Sequence, residues 1–189
     1  MMLAAPSTTV QKSNCPSFAL GIDGHVRRHL VPLTGARKRI VSYMEAGDLI
    51  AIDAAIEGGF PILRRIARNT AEHGVEHRVV FGFSYRSAAA LVEFLRVHRA
   101  DLKQVTGVRY SGELGHPFHV VDDETVVLPL DHPFVKEGRF ASLLIRDREL
   151  ADSLVDGFQE LWRKAMRSLR EISVDPRGVE TPGSAPTGR

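Results

Sequence analysis

Cysteine is almost missing from this chain of 189 residues: there is one, Cys15. An internal disulfide is therefore excluded, and a thiol nucleophile in a folded site is poorly supported because Cys15 sits in a polar leader. No apolar run approaches the roughly 18–20 residues that span a bilayer, so no membrane contact is expected. The opening MMLAAPSTTVQKSNCPSF lacks a charged n-region and a continuous apolar stretch. No secretory signal is expected, and the reducing cytoplasm is the expected compartment. Charge of one sign is also lacking: 25 Lys and Arg against 23 Asp and Glu leave +2. The clusters Arg27-Arg28, Arg37-Lys38-Arg39 and Arg64-Arg65 with Arg68 read as solvated helix faces and not as a nucleic-acid surface. Gly-x-Ser-x-Gly is absent, and Gly107, Gly112 and Gly115 do not make Gly-x-Gly-x-x-Gly. Neither a serine hydrolase elbow nor a dinucleotide loop is indicated, and no cofactor is expected.

What is present is a globular composition, 43% hydrophobic and 25% charged, of a size for one domain. Residues 1–20 read as a flexible leader, 21–173 as a single α/β domain, and 174–189, rich in Pro, Gly and Ser, as a disordered tail. Asp23 is a candidate cap for a first helix that Pro32 and Gly35 limit. Strands are expected at 39–44, 77–83, 104–110 and 140–147, and GDLIAIDAAIEGG is ambiguous between helix and loop. A helix runs from Pro61 to Gly74, and Ser84 or Ser87 can cap the helix after the second strand. FHVVDDETVVLPL reads as a hairpin that turns at Asp122-Asp123-Glu124. Leu150, Leu154, Phe158, Leu161, Ala165 and Leu169, with Val155, Trp162 and Met166 beside them, mark a long closing helix. Its broad apolar stripe is expected to lie under the sheet. The expected architecture is a layered mixed β-sheet flanked by helices.

Two motifs carry chemistry. HGVEH, 73–77, matches the inverted zinc-peptidase pattern, which needs both histidines on one helix face. Gly74 ends the helix between them, so His73 and His77 should diverge, and no metal is expected. In GHPFHVVDDETVVL, His116 and Phe118 share a face of an extended segment, His119 points the other way, and Asp123 follows at the turn. The second His-Pro-Phe, at 132–134, reads as loop stiffening.

The stretch GHPFHVVDDETVVLPL, followed by GRFASLLIRDRELADSLVDGFQELWRKAM, resembles the phospholipase D superfamily. The closer likeness is to its degenerate branch, the sensor domains of TrmB-type transcription regulators. The likeness runs over roughly 38–171 and includes the closing pattern Phe158, Trp162, Ala165. What the resemblance implies is a His-x-Lys-x-x-x-x-Asp site: a histidine that attacks phosphorus, a lysine that holds the phosphate oxygens, and an aspartate that orients the imidazole. His116 and Asp123 fall on the histidine and aspartate, as vestiges, and Phe118 on the lysine. A phenyl ring supplies no charge to a phosphoryl transition state, so no catalytic residue is expected.

The resemblance implies a catalytically inactive ligand-sensing or interaction module in regulation, with a ligand pocket at His116, Phe118 and Asp123. It further implies a homodimer, a small-molecule effector and a regulatory protein partner. The 38 residues before Arg39 are short for the winged-helix domain of the family's regulators, so no direct nucleic-acid binding is expected. Two alternatives stand: a homodimeric phosphodiesterase or nuclease using His116, with Arg109 or Arg139 as its cation, and a structural dimerisation module.

Overall fold

A computed structural model describes residues 15–47, 61–84, 86–131 and 139–169. Residues 48–59 of the ambiguous segment, the His-Pro-Phe at 132–134 and the tail at 174–189 lie outside the described residues.

In chain order the elements are β1 (Ser17–Leu20), then α1 (Gly21–Gly24), which continues as a π-helical stretch (His25–Leu30) and a 3-10 stretch (Val31–Gly35). β2 (Arg39–Glu45), α2 (Pro61–His73), β3 (Glu76–Gly82), α3 (Ala88–Val97), α4 (Arg99–Leu102) and β4 (Gly107–Ser111) follow. β5 (Phe118–Val121), β6 (Thr125–Asp131), β7 (Arg139–Arg146) and α5 (Arg148–Lys164) complete the described chain. The strands form one mixed sheet in the order β1-β7-β6-β5-β2-β3-β4. β2, β3 and β4 run parallel, and every other pairing is antiparallel. This is the layered α/β architecture expected from the sequence.

Strand alternation divides the core in two. Ile40, Met44, Val79, Phe81, Val121 and Val127 face the helical layer made by the π and 3-10 stretches, α2 and α3. Val41, Tyr43, Val80, Val120 and Val126 face α5, whose Ala151, Val155 and Phe158 are buried against them. Asp147 caps α5 by accepting the Leu150 N–H at 3.0 Å. Gly74, at φ +65°, ends α2, and the Val75 N–H reaches back to the Thr70 carbonyl at 3.0 Å. That six-residue return closes the helix and delivers the chain into β3.

Four local readings change. Residues 17–20, read as leader, form edge strand β1 on β7. Asp23 is no cap: it lies inside the first turn and pairs with Arg27 four residues on. Ser87 precedes α3, but its hydroxyl accepts the Ser84 N–H instead of capping the helix. The closing helix stops at Lys164, short of Met166 and Leu169. Ala165 is extended, and Met166 exchanges backbone hydrogen bonds with Tyr110 at 2.9 and 2.8 Å. An unpaired edge is a liability, and this bridge covers part of β4.

Candidate functional site

β5 carries the candidate residues at its two ends. Phe118 opens the strand opposite Tyr43 of β2. The two rings stack with centroids 6.4 Å apart and planes 22° from parallel. Phe118 is half-buried and packs against the core under α5. The segment 112–116 before it is an exposed loop held by two hydroxyls: Tyr43 Oη donates to the Glu113 carbonyl at 2.9 Å and accepts from the Gly115 N–H at 2.8 Å, and Ser111 Oγ accepts the Glu113 N–H at 3.0 Å. His116 sits at the end of this loop, exposed, with its Nδ1 3.0 Å from the Pro117 carbonyl. Gly82 makes room for the tyrosine, because a Cβ there would stand 2.0 Å from Tyr43 Oη.

Asp123 belongs to the other end of the strand. At about 3.3 Å per residue, the length of β5 puts roughly 10 Å between Phe118 and the turn. Asp122 and Asp123 both have positive φ, 52° and 64°. Two successive left-handed residues are the geometry of a tight hairpin that follows strand twist, and aspartate tolerates it. The Asp123 carboxylate pairs with Arg39 Nε. Asp122 makes the more extensive contact, accepting the N–H groups of Arg37, Lys38 and Arg39 at 2.7–3.2 Å. It thereby fixes the chain entering β2. His116 and Phe118 are thus brought near each other, whereas Asp123 is held away on a charged cleft with Lys38, Arg146 and Arg148.

Arg109 is remote from His116. Its strand is separated from β5 by β2 and β3, roughly 14 Å at about 4.8 Å per strand. Its guanidinium lies 4.4 Å from the Trp162 ring centroid and donates to the Trp162 carbonyl. Arg78 covers the same ring at 5.5 Å. Partial burial, then the charges of Arg167 and Arg78, hold the Arg109 pKa below the usual arginine value. Arg139 lies on β7 next to β6, and β6 separates it from β5. His73, exposed at the end of α2, shares a hydrogen bond with the Asn69 carbonyl, while His77 is buried in β3. The HGVEH histidines diverge as their spacing implied.

Sequence reasoning gave Tyr43 no role, Asp122 only a place in the turn, and the buried histidines no common location. The paired aspartates gave the turn but not which of them grips the backbone. His25, His29, His77, His98 and His119 are all buried, and nothing in their spacing brings them together before the sheet is assembled. His29 Nδ1 and Ser142 Oγ share a hydrogen bond at 2.6 Å, tying the π-helical stretch to β7.

Residues 63–167 match a protein family described as a domain of unknown function, DUF7436. The chain belongs to the DUF7436 family. No curated protein matches it. Among solved structures, TrmBL2, an archaeal chromatin protein with a novel mode of DNA binding, superposes with a TM-score of 0.58 at 15% identity. That likeness covers 85% of this chain and 57% of TrmBL2, so the chain spans little more than half of that protein. Nuc from Salmonella typhimurium, a phospholipase D family member, gives 0.58 at 15% identity over 82% of this chain and 97% of its own. NucT from Helicobacter pylori gives 0.55 at 13% identity over 82% and 99%. At these identities the likeness establishes the fold: this DUF7436 domain is phospholipase D-like, with a resemblance to TrmB-type proteins. It also corrects one expectation. No direct nucleic-acid binding is expected from the sequence, yet the same fold occurs in a DNA-binding chromatin protein. The expectation of no direct nucleic-acid binding is withdrawn. Among the described residues no helix is long and apolar enough to cross a membrane.

Proposed function

We propose that this domain binds a ligand or a regulatory partner and does not cleave phosphodiesters. The observation that carries the reading is Phe118. At the position that the resemblance gives to the phosphate-holding lysine stands a phenyl ring stacked on Tyr43 and packed into the core. Removing a preorganised charge of this kind from a phosphoryl-transfer site costs orders of magnitude in rate. Arg109 does not replace it, since its guanidinium is committed to Trp162. The pairing of Asp123 with Arg39 also supports the reading, because an aspartate so engaged does not orient His116.

The ligand surface we assign comprises His116 and Phe118 at the start of β5, beside the loop held by Tyr43. An exposed imidazole next to an aromatic face suits an apolar or sugar-like molecule better than a bare phosphate. Asp123 belongs to a separate part of the surface. A thermal-shift screen of neutral mono- and disaccharides, run on wild type, His116→Ala and Phe118→Ala, tests the assignment. A stabilising ligand should lose its effect in both variants; stabilisation that both variants keep places the ligand elsewhere.

A second reading, contact with DNA, is favoured by the arginine group around Trp162. Arg78, Arg109 and Arg167 lie close enough to repel one another's charge at Arg109. Clustered guanidinium groups are a common means of meeting phosphates, with affinity that falls as salt rises. Gel-shift titration of duplex DNA at two salt concentrations, with Arg167→Ala alongside, tests it. Salt-dependent binding weakened by the substitution supports this reading, and no binding at low salt removes it.

A further inference from the structure

The sheet face away from α5 encloses a cavity of about 40 Å³ under α2 and α4. Leu33, Met44, Ile66, Val79, Phe81 and Leu102 make most of its wall. Three sheet residues interrupt this apolar lining, Ser42 on β2, His77 on β3 and His119 on β5, and buried His98, just after α3, joins them with its Nδ1 4.0 Å from the Asp101 carboxylate. Ser42 and His119 are direct cross-strand partners, and Ser42 Oγ shares a hydrogen bond with His119 Nδ1 at 2.9 Å. His77 is different. It is only 5% exposed, and among the described residues its Nδ1 has no hydrogen-bond partner. Nine in ten or more buried polar groups in native proteins are paired, so an orphan ring nitrogen beside a cavity calls for an occupant.

The chemistry of the wall narrows that occupant. Among the described residues no three His, Cys, Asp or Glu side chains are grouped to hold a metal. Burial pushes the His77 pKa down to about 4 and that of His119 to about 3, so both rings are neutral at pH 7. A neutral imidazole offers one donor and one acceptor. The single carboxylate of the lining, Asp101, is bonded by Arg64 Nε at 3.3 Å across α2 and α4, which matches its charge. An ion entering such a space would leave water without a counter-charge, whereas a neutral molecule would not. The volume is about three times the space that one ordered water needs.

We propose that this cavity is a binding site for a compact, uncharged molecule, apolar over most of its surface and bearing one hydroxyl, which bonds His77 Nδ1. The hydrocarbon part packs on Ile66, Met44 and Leu102, and the Ser42–His119 bond closes the polar side of the cavity. Isobutanol has this size and chemistry and serves as the probe. The site lies on the opposite face of the sheet from Phe118, so it stands or falls independently of the ligand surface proposed above.

The test is a titration of the full chain with isobutanol, followed through the histidine ring resonances by NMR, with isobutylammonium as the charged counterpart. Saturable shifts at His77 and His119 with isobutanol are expected, with none at His116 and none from the ammonium. Ala67, buried in the wall, provides a filling variant. Ala67→Leu should abolish the shifts, and His77→Phe should weaken binding by about tenfold through loss of one hydrogen bond. Shifts that do not saturate, that affect His116 equally, or that survive in Ala67→Leu overturn the proposal. The wild-type titration decides the matter even where a variant does not fold.

Discussion

Phe118 and Tyr43 are cross-strand partners whose rings stack at 6.4 Å with a 22° tilt. The pair joins the start of β5 to the core under α5, and the tyrosine hydroxyl holds the loop that ends at His116. The position that the resemblance gives to a catalytic cation therefore carries packing. Phe118→Ala should cost about 1–3 kcal/mol of unfolding free energy, less than the full loss of a buried phenylalanine because the ring is half-exposed. Urea unfolding of the two proteins, followed by Trp162 fluorescence, measures it. No loss of stability would contradict the packing role.

Gly82 and Tyr43 form a second constrained pair. A methyl group at 82 would lie 2.0 Å from Tyr43 Oη and 2.7 Å from Cζ. The ring has to move, and both hydrogen bonds to the loop move with it. Gly82→Ala should destabilise by about 1–3 kcal/mol through overpacking. Tyr43→Phe keeps the ring and removes only the hydroxyl, and it should cost about 1–2 kcal/mol. Faster amide exchange at Gly115 in Tyr43→Phe would locate the loss in the loop.

The adjacent aspartates of the turn should respond unequally. Asp122 accepts three backbone N–H groups from the chain entering β2. Asp122→Ala leaves those donors without the carboxylate and puts alanine at positive φ, so about 2–4 kcal/mol should be lost. Asp123→Ala removes one partly exposed ion pair with Arg39 and should cost about 1–2 kcal/mol, ion pair and left-handed backbone together. Chemical denaturation of both variants checks the order, and a larger effect at Asp123 would refute it.

Acid should weaken the fold through its buried histidines. Burial holds His25 and His77 near a pKa of about 4 and His119 near about 3, with neighbouring histidines adding to the effect at His25 and His119. The ordinary value, 6.5, is that of the unfolded chain, so the unfolded state binds more protons as the pH falls below it. The stabilising contribution is full above about pH 6.5 and declines toward pH 4 and then 3, by up to about 1.4 kcal/mol per pH unit for each ring. Thermal unfolding between pH 7.5 and 4.5 should show a falling midpoint, flattened in His77→Phe. A midpoint independent of pH would contradict the burial of neutral rings.

Much of the fold could be read from the sequence because it rests on local signals. Gly74 at the end of α2, the alternation of β2 and β3, the Asp-Asp turn and the α5 stripe each announce themselves over a few residues. The end of α5 could not be read, since the stripe continues through Met166 while the partner that stops the helix, Tyr110, lies on another strand. β1 was hidden for the same reason: SFAL is too short to signal a strand, and β7 supplies the pairing. The candidate site was legible only in part. The sequence placed His116 and Phe118 on one face of a strand, whereas His116 lies in the exposed loop before β5; Asp123 was assigned by its position in a motif and Arg109 as a substitute cation. Their actual partners, Arg39 and Trp162, are set by tertiary packing. The histidine-lined cavity is assembled from strands β2, β3 and β5 and the helices that cover them, and it leaves no pattern in the chain.

Hydrolysis of bis(p-nitrophenyl) phosphate by wild type and His116→Ala at matched concentration tests most directly the proposal that the domain binds without cleaving. The account predicts that both proteins are indistinguishable from buffer. Turnover by the wild type that disappears in His116→Ala would contradict it and make the chain a phosphodiesterase.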